Sequence, residues 1–132
     1  MPDPLKLSRW LCLGAGTLDF CTGLGLVAAP ALLLRLMGVP PLDGDGWVFL
    51  RFVGAFVAAV GAVYLWTALR PAPARVRALL EFTLFFRFAA GAYAAAAILT
   101  GTLHSAWSSV PATDFALVAL QAWLLARWPR TA

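Results

Sequence analysis

Four stretches of about twenty apolar residues, parted by short breaks rich in proline, glycine and arginine, leave this chain very few folds. They cover residues 10–29, 47–69, 79–100 and 110–128. A helix rises ~1.5 Å per residue, so each run is long enough to cross a hydrocarbon core ~30 Å thick. A closed β-barrel also satisfies every backbone polar group in lipid, but its strands alternate polar and apolar residues. These runs do not alternate.

Composition agrees with a chain solvated by lipid. Hydrophobic residues make up 62% of the 132 positions and charged residues only 12%. A soluble domain this small must cover a large surface with polar groups, and sixteen charged side chains do not suffice. That balance excludes a disordered chain, a nucleic-acid-binding domain and a disulfide scaffold. The only two cysteines, Cys12 and Cys21, lie in one apolar run, and the only histidine is His104. No CxxC or Cys/His cluster exists to hold zinc or an iron–sulfur cluster, so neither metal nor cofactor is expected.

The breaks read as turns. Residues 37–46 (MGVPPLDGDG), 70–77 (RPAPARVR) and 101–109 (GTLHSAWSS) carry the breaker residues. Asp43-Gly44-Asp45 resembles the start of a calcium loop, but the closing glutamate position falls on Gly54, so a turn is expected. Such short connections make successive helices antiparallel neighbours. The expected fold is all-α: a four-helix transmembrane bundle, up-down-up-down, in one domain. Pro30 removes the bond to the Leu26 carbonyl. Either it breaks the first helix, leaving a short interfacial helix over 30–37 with Arg35 reaching water, or the run is one long tilted helix. The first run is long and carries Asp19, so it reads as a span rather than a cleaved leader.

Basic residues give orientation. Lys6, Arg9, Arg70, Arg75, Arg77, Arg127 and Arg130 fall on one side, against Arg35 and Arg51 on the other. Both termini are therefore expected in the cytoplasm. The richness in arginine and alanine is that of a high-GC bacterial genome, and the expected location is the inner membrane. Trp10, Trp47, Trp107 and Trp128 sit near the run ends, as an aromatic belt would place them.

Helices in lipid associate through close backbone contact. Gly54, Ala58 and Gly61, Gly16 and Gly23, and Gly91 with Ala94–Ala97 supply small residues at helical spacings. They read as packing seams, with a groove for a lipid or quinone tail as the functional alternative.

A charge inside the bilayer costs about 2.5–3.5 kcal/mol on insertion scales, so each needs a partner or a task. Counting from the run ends at ~1.5 Å per residue, Asp19 lies ~13 Å, Arg87 ~12 Å and Gln121 ~10 Å from the cytoplasmic edge. An Asp19–Arg87 ion pair is expected, with Gln121 beside it. Arg51 either snorkels to the outer headgroups or pairs with Asp114, which lies in the first turn of the fourth helix after Pro111. Asp114 and Gln121 are seven apart and share a face. Tyr64 and Tyr93 are candidate hydroxyls for this seam. Glu81 reads as the exposed partner of Arg77, and His104 as a solvated loop residue.

The pattern Arg51-x-x-Gly54 with Gly61-x-x-Tyr64, a basic proline loop, a helix with Arg87 inside and Pro30 near the end of helix one resembles small uncharacterised bacterial four-helix membrane proteins, broadly DoxX-like. The resemblance implies the four-helix fold and an inner-membrane location, and no catalytic residues. Some DoxX-like proteins are linked to redox or quinone-coupled complexes, for which this chain has no matching cofactor motif.

The leading functional expectation is a noncatalytic partner subunit or a module binding lipid or a hydrophobic ligand. Its partners would be the bilayer and a membrane protein or further copies of itself, with no nucleic acid. The alternatives are a small oligomeric transporter or channel using the Asp19/Arg87/Gln121 seam, and a quinone- or lipid-linked membrane enzyme. Against the last stands the lack of a His or Cys base–nucleophile pair and of clustered carboxylates.

Overall fold

The computed structural model describes residues 3–129, and Arg130 of the charge pattern lies outside them. Five α-helices account for most of the chain: α1 (Pro4–Ala28), α2 (Pro30–Met37), α3 (Gly46–Leu69), α4 (Pro73–Leu99) and α5 (Ser109–Ala126). There is no strand among the described residues. A 3-10 turn, Ser105–Ser108, leads into α5. Four helical segments are long and apolar enough to cross a membrane: α1, α3, α4, and α5 together with its 3-10 turn.

The helices outrun the apolar stretches mainly at their N-termini. Pro4 and Pro73 each occupy the first turn, where the missing N–H costs nothing. Lys6, Arg9, Arg75 and Arg77 therefore lie in the first two turns of α1 and α4, ahead of the apolar stretches.

Pro30 does break the first helix. Ala29 leaves helical geometry at φ −140° and ψ 58°, and α2 starts with Pro30 in its first turn. α2 ends at Gly38, whose φ of 71° is open to glycine at little cost. The Gly38 N–H then reaches the Arg35 carbonyl (3.2 Å) and the Val39 N–H the Leu34 carbonyl (2.8 Å), which closes the helix end. Gly101 at φ 74° closes α4 in the same way, with Thr102 N–H on the Ala97 carbonyl at 2.9 Å. The acidic segment before α3 is a turn, closed by Gly46 N–H on the Asp43 carbonyl at 3.0 Å with Gly44 at φ 52°.

The chain divides into two compact units, Leu11–Arg70 and residues 71–129 with 3–10. In the first, α1 and α3 run antiparallel with their backbones close together. Methyl groups built on the glycines show it: on Gly16 one would meet Tyr64 and Leu65, on Gly23 Ala58 and Gly54, on Gly61 Phe20, and on Gly54 Leu26. The expected seams of Gly16, Gly23, Gly54, Ala58 and Gly61 thus face one another. In the second unit α4 and α5 form an antiparallel hairpin. Its α4 face is the stripe Val76, Leu80, Thr83, Arg87, Gly91, Ala94, spaced three and four apart.

The radial pattern is the inverse of a soluble protein's. Phe49, Phe52, Phe56, Phe82, Phe85, Phe86 and Leu99 are exposed, while Asp19, Thr67, Thr83, Arg87 and Gln121 are buried. Large apolar side chains outside and polar ones inside suit a hydrocarbon surround, where polar groups must be satisfied within the protein.

Candidate functional site

The polar centre of the α4/α5 hairpin is built on two adjacent levels. At the first, Arg87 Nη1 donates to Asp114 Oδ1 at 3.0 Å. The side chains are 5% and 14% exposed, so this ion pair is largely out of solvent. Arg87 lies near the middle of α4, at mid-depth for a helix that crosses the membrane. A carboxylate and a guanidinium held together there each remove much of the other's desolvation cost.

One turn away, Gln121 Nε2 donates to Thr83 Oγ1 at 3.0 Å, and that hydroxyl donates to the Leu79 carbonyl at 2.7 Å. The single Thr83 proton is committed to the backbone, so its lone pair faces Gln121 and orients the amide. Thr83→Val keeps the shape and removes both bonds. It should lower stability in detergent by about 1 kcal/mol, as unfolding by denaturant would measure. Thr83→Ser should cost less.

Helix packing supports both levels. A methyl on Gly91 would stand 3.2 Å from Asp114 Cβ and 3.4 Å from the Phe115 ring, so glycine lets α5 come close beside the ion pair. Phe88 and Phe115 meet edge to face with centroids 6.1 Å apart.

Three of the expected residues meet within this hairpin. Arg87, Asp114 and Gln121 lie on the facing sides of α4 and α5. Asp114 forms an ion pair with Arg87, a pairing that the sequence reading did not name. Asp19 is buried on α1, in the other unit. Arg51 is exposed on α3. Tyr64 is fully buried, packed through its Cβ toward Gly16 of α1. Tyr93 does not face the seam: it is 78% exposed, because it lies about 200° around α4 from Gly91 on the buried stripe.

No family model, curated protein or solved structure matches this chain.

Thr83 is the member that reading the sequence missed. Its signal was position: it is four residues before Arg87 and the one polar residue between Glu81 and Arg87. His104 caps the 3-10 turn, its Nδ1 accepting from the Ala106 N–H at 3.1 Å. Glu81 bonds Arg77 Nε at 2.8 Å on the surface. Among the described residues no three His, Cys, Asp or Glu side chains gather as a metal site.

Proposed function

We propose that this chain is a noncatalytic multi-pass protein of the bacterial inner membrane, serving as a partner subunit or as a module that binds lipid or a hydrophobic ligand. The observation that supports it most is the use made of the buried polar groups on the hairpin. Arg87 bonds Asp114 and Gln121 bonds Thr83, each across one helix pair. Groups committed to one another in this way hold helices together rather than act on a substrate. The exposed phenylalanines of α3 and α4 supply apolar surface for lipid or a neighbouring helix.

The proposed topology is up-down-up-down with both termini in the cytoplasm. It rests on Lys6, Arg9, Arg70, Arg75, Arg77 and Arg127 against Arg35 and Arg51. The likeness to DoxX-like proteins stands as part of this proposal. A second reading, an oligomeric transporter or channel, draws on the exposed edge of Asp114.

Extraction in a mild detergent followed by native mass spectrometry tests the function. The expected result is a retained protein or lipid that survives Asp114→Asn. Ion or proton flux through liposomes carrying the purified chain, lost in Asp114→Asn, would replace this reading by the transporter. A fluorescent protein fused to the C-terminus should light up in the cytoplasm.

A further inference from the structure

We infer that Arg35 and Arg51 form a binding site for the phosphate of an anionic phospholipid headgroup, at the end of the first unit where α2 joins α3. The inference deepens the lipid-binding side of the proposed function and names the lipid class.

Arginine pairing sets these two apart. Arg77 is held by Glu81, Arg87 by Asp114, and Arg127 stacks over Trp123 at 4.5 Å. Arg9, Arg70 and Arg75 also have interactions within the protein. Among the described residues, the side chains of Arg35 and Arg51 have neither an ion pair nor a hydrogen bond, and both are exposed.

Their place in the fold is the second observation. A methyl on Gly54 would stand 2.6 Å from Leu26 Cβ, so this part of α3 is level with the end of α1. Arg51 lies one turn nearer the start of α3, and α2 begins one turn beyond Leu26 and packs on α3. Arg35 and Arg51 therefore belong to the same end of the unit.

Their surroundings are apolar. Leu32 and Leu36 are exposed on α2, and Val48 and Phe52 on α3. Exposed aliphatic and aromatic groups with unpaired arginines among them match an interfacial anchor. At that level the strong acceptors are headgroup phosphates, which a guanidinium binds with two parallel N–H donors. Asp43 and Asp45 of the intervening turn lie at the same end, but neither forms an ion pair with Arg35 or Arg51. Both guanidinium groups therefore keep their donors for a phosphate, and a net negative headgroup attracts them more than a zwitterionic one.

The full chain, purified in mild detergent, is titrated separately with phosphatidylglycerol and phosphatidylcholine, and lipid adducts are counted by native mass spectrometry. Wild type should prefer phosphatidylglycerol about thirtyfold, with Arg35→Gln and Arg51→Gln each lowering the preference about fivefold and the double variant losing it. Arg51→Lys should retain most of it, and Arg77→Gln all of it. Equal binding of the two lipids by wild type, or an unchanged preference in the double variant, overturns the site. A loss in Arg77→Gln equal to that in Arg51→Gln overturns it too, since overall charge would then select the lipid. Displacement of phosphatidylglycerol by an equal concentration of inorganic phosphate would overturn the lipid as the source. Loss of the lipid preference with a retained protein partner would leave the subunit reading standing.

Discussion

Replacing Asp114 by leucine is expected to destabilise the protein by about 3–5 kcal/mol, because it removes a carboxylate that helps offset the burial of the Arg87 guanidinium. Asp114 is the acceptor for Arg87 Nη1 at 3.0 Å, and the arginine side chain is only 5% exposed. Asp114→Asn should cost less, since an amide oxygen still accepts the bond though the charge is gone. The informative variant is the double one, Arg87→Met with Asp114→Leu. It removes both charges and fills similar volume, and such replacements are often neutral or stabilising. It should recover most of the loss, giving a coupling of at least ~2 kcal/mol in a double-mutant cycle read by denaturant unfolding in detergent. If the double variant were as unstable as the two single losses combined, the pair would not be the main electrostatic link of the hairpin. If it were stable but lost partner or ligand retention, the charges would have a task beyond packing.

Much of this architecture was legible before any coordinates, and the reason is the solvent. A helix that spans hydrocarbon must be a long apolar run, so the four candidate spans stood out, and the breaks at 37–46 and 101–109 appeared where the helices end. The true helix starts at Pro4 and Pro73 were hidden because hydropathy marks the stretch that lies in lipid, whereas the helix itself continues into the interface. The Pro30 break was one of two open readings. Proline weakens a helix locally, but whether the helix bends or stops depends on what the next turn packs against, here α3.

The polar centre of the hairpin was legible in its members, while the Arg87–Asp114 pair was not named. Arg87, Asp114 and Gln121 stood out because each interrupts an apolar run. Depth counted from the run ends then favoured Asp19 for Arg87. Counting from the hairpin turn brings up Asp114 as well: Arg87 and Asp114 are fourteen and thirteen residues from Gly101. Positions about equally far from the connection between two antiparallel helices lie near one level. Tyr93 was misjudged for a related reason, since depth alone does not say which side of a helix a residue is on.

Alanine at Gly23 or Gly61 should destabilise the α1/α3 pair by about 2 kcal/mol, while alanine at Gly14 should be neutral or stabilising by up to ~1 kcal/mol. Two opposed effects decide the sign. Alanine is the better helix former at every one of these sites, by about 1 kcal/mol. Against that, a methyl on Gly61 would stand 2.7 Å from Phe20 Cα and 2.8 Å from the Gly16 carbonyl oxygen, and one on Gly23 2.7 Å from Ala58 Cα. Those are backbone atoms of the facing helix, which retreat only if the two helices move apart and give up the contacts along the whole seam. Gly14 meets nothing within 4 Å, so there only the propensity gain remains. Gly25 falls between, since its methyl would meet Leu33 Cδ1 at 2.8 Å, the end of a side chain that can turn aside. The expected order of unfolding free energies in detergent is therefore Gly14→Ala highest, Gly25→Ala next, and Gly23→Ala and Gly61→Ala lowest. If all four variants shifted alike, backbone proximity would not be what joins α1 to α3. A gain at Gly61 would mean that the helices have room to separate without loss.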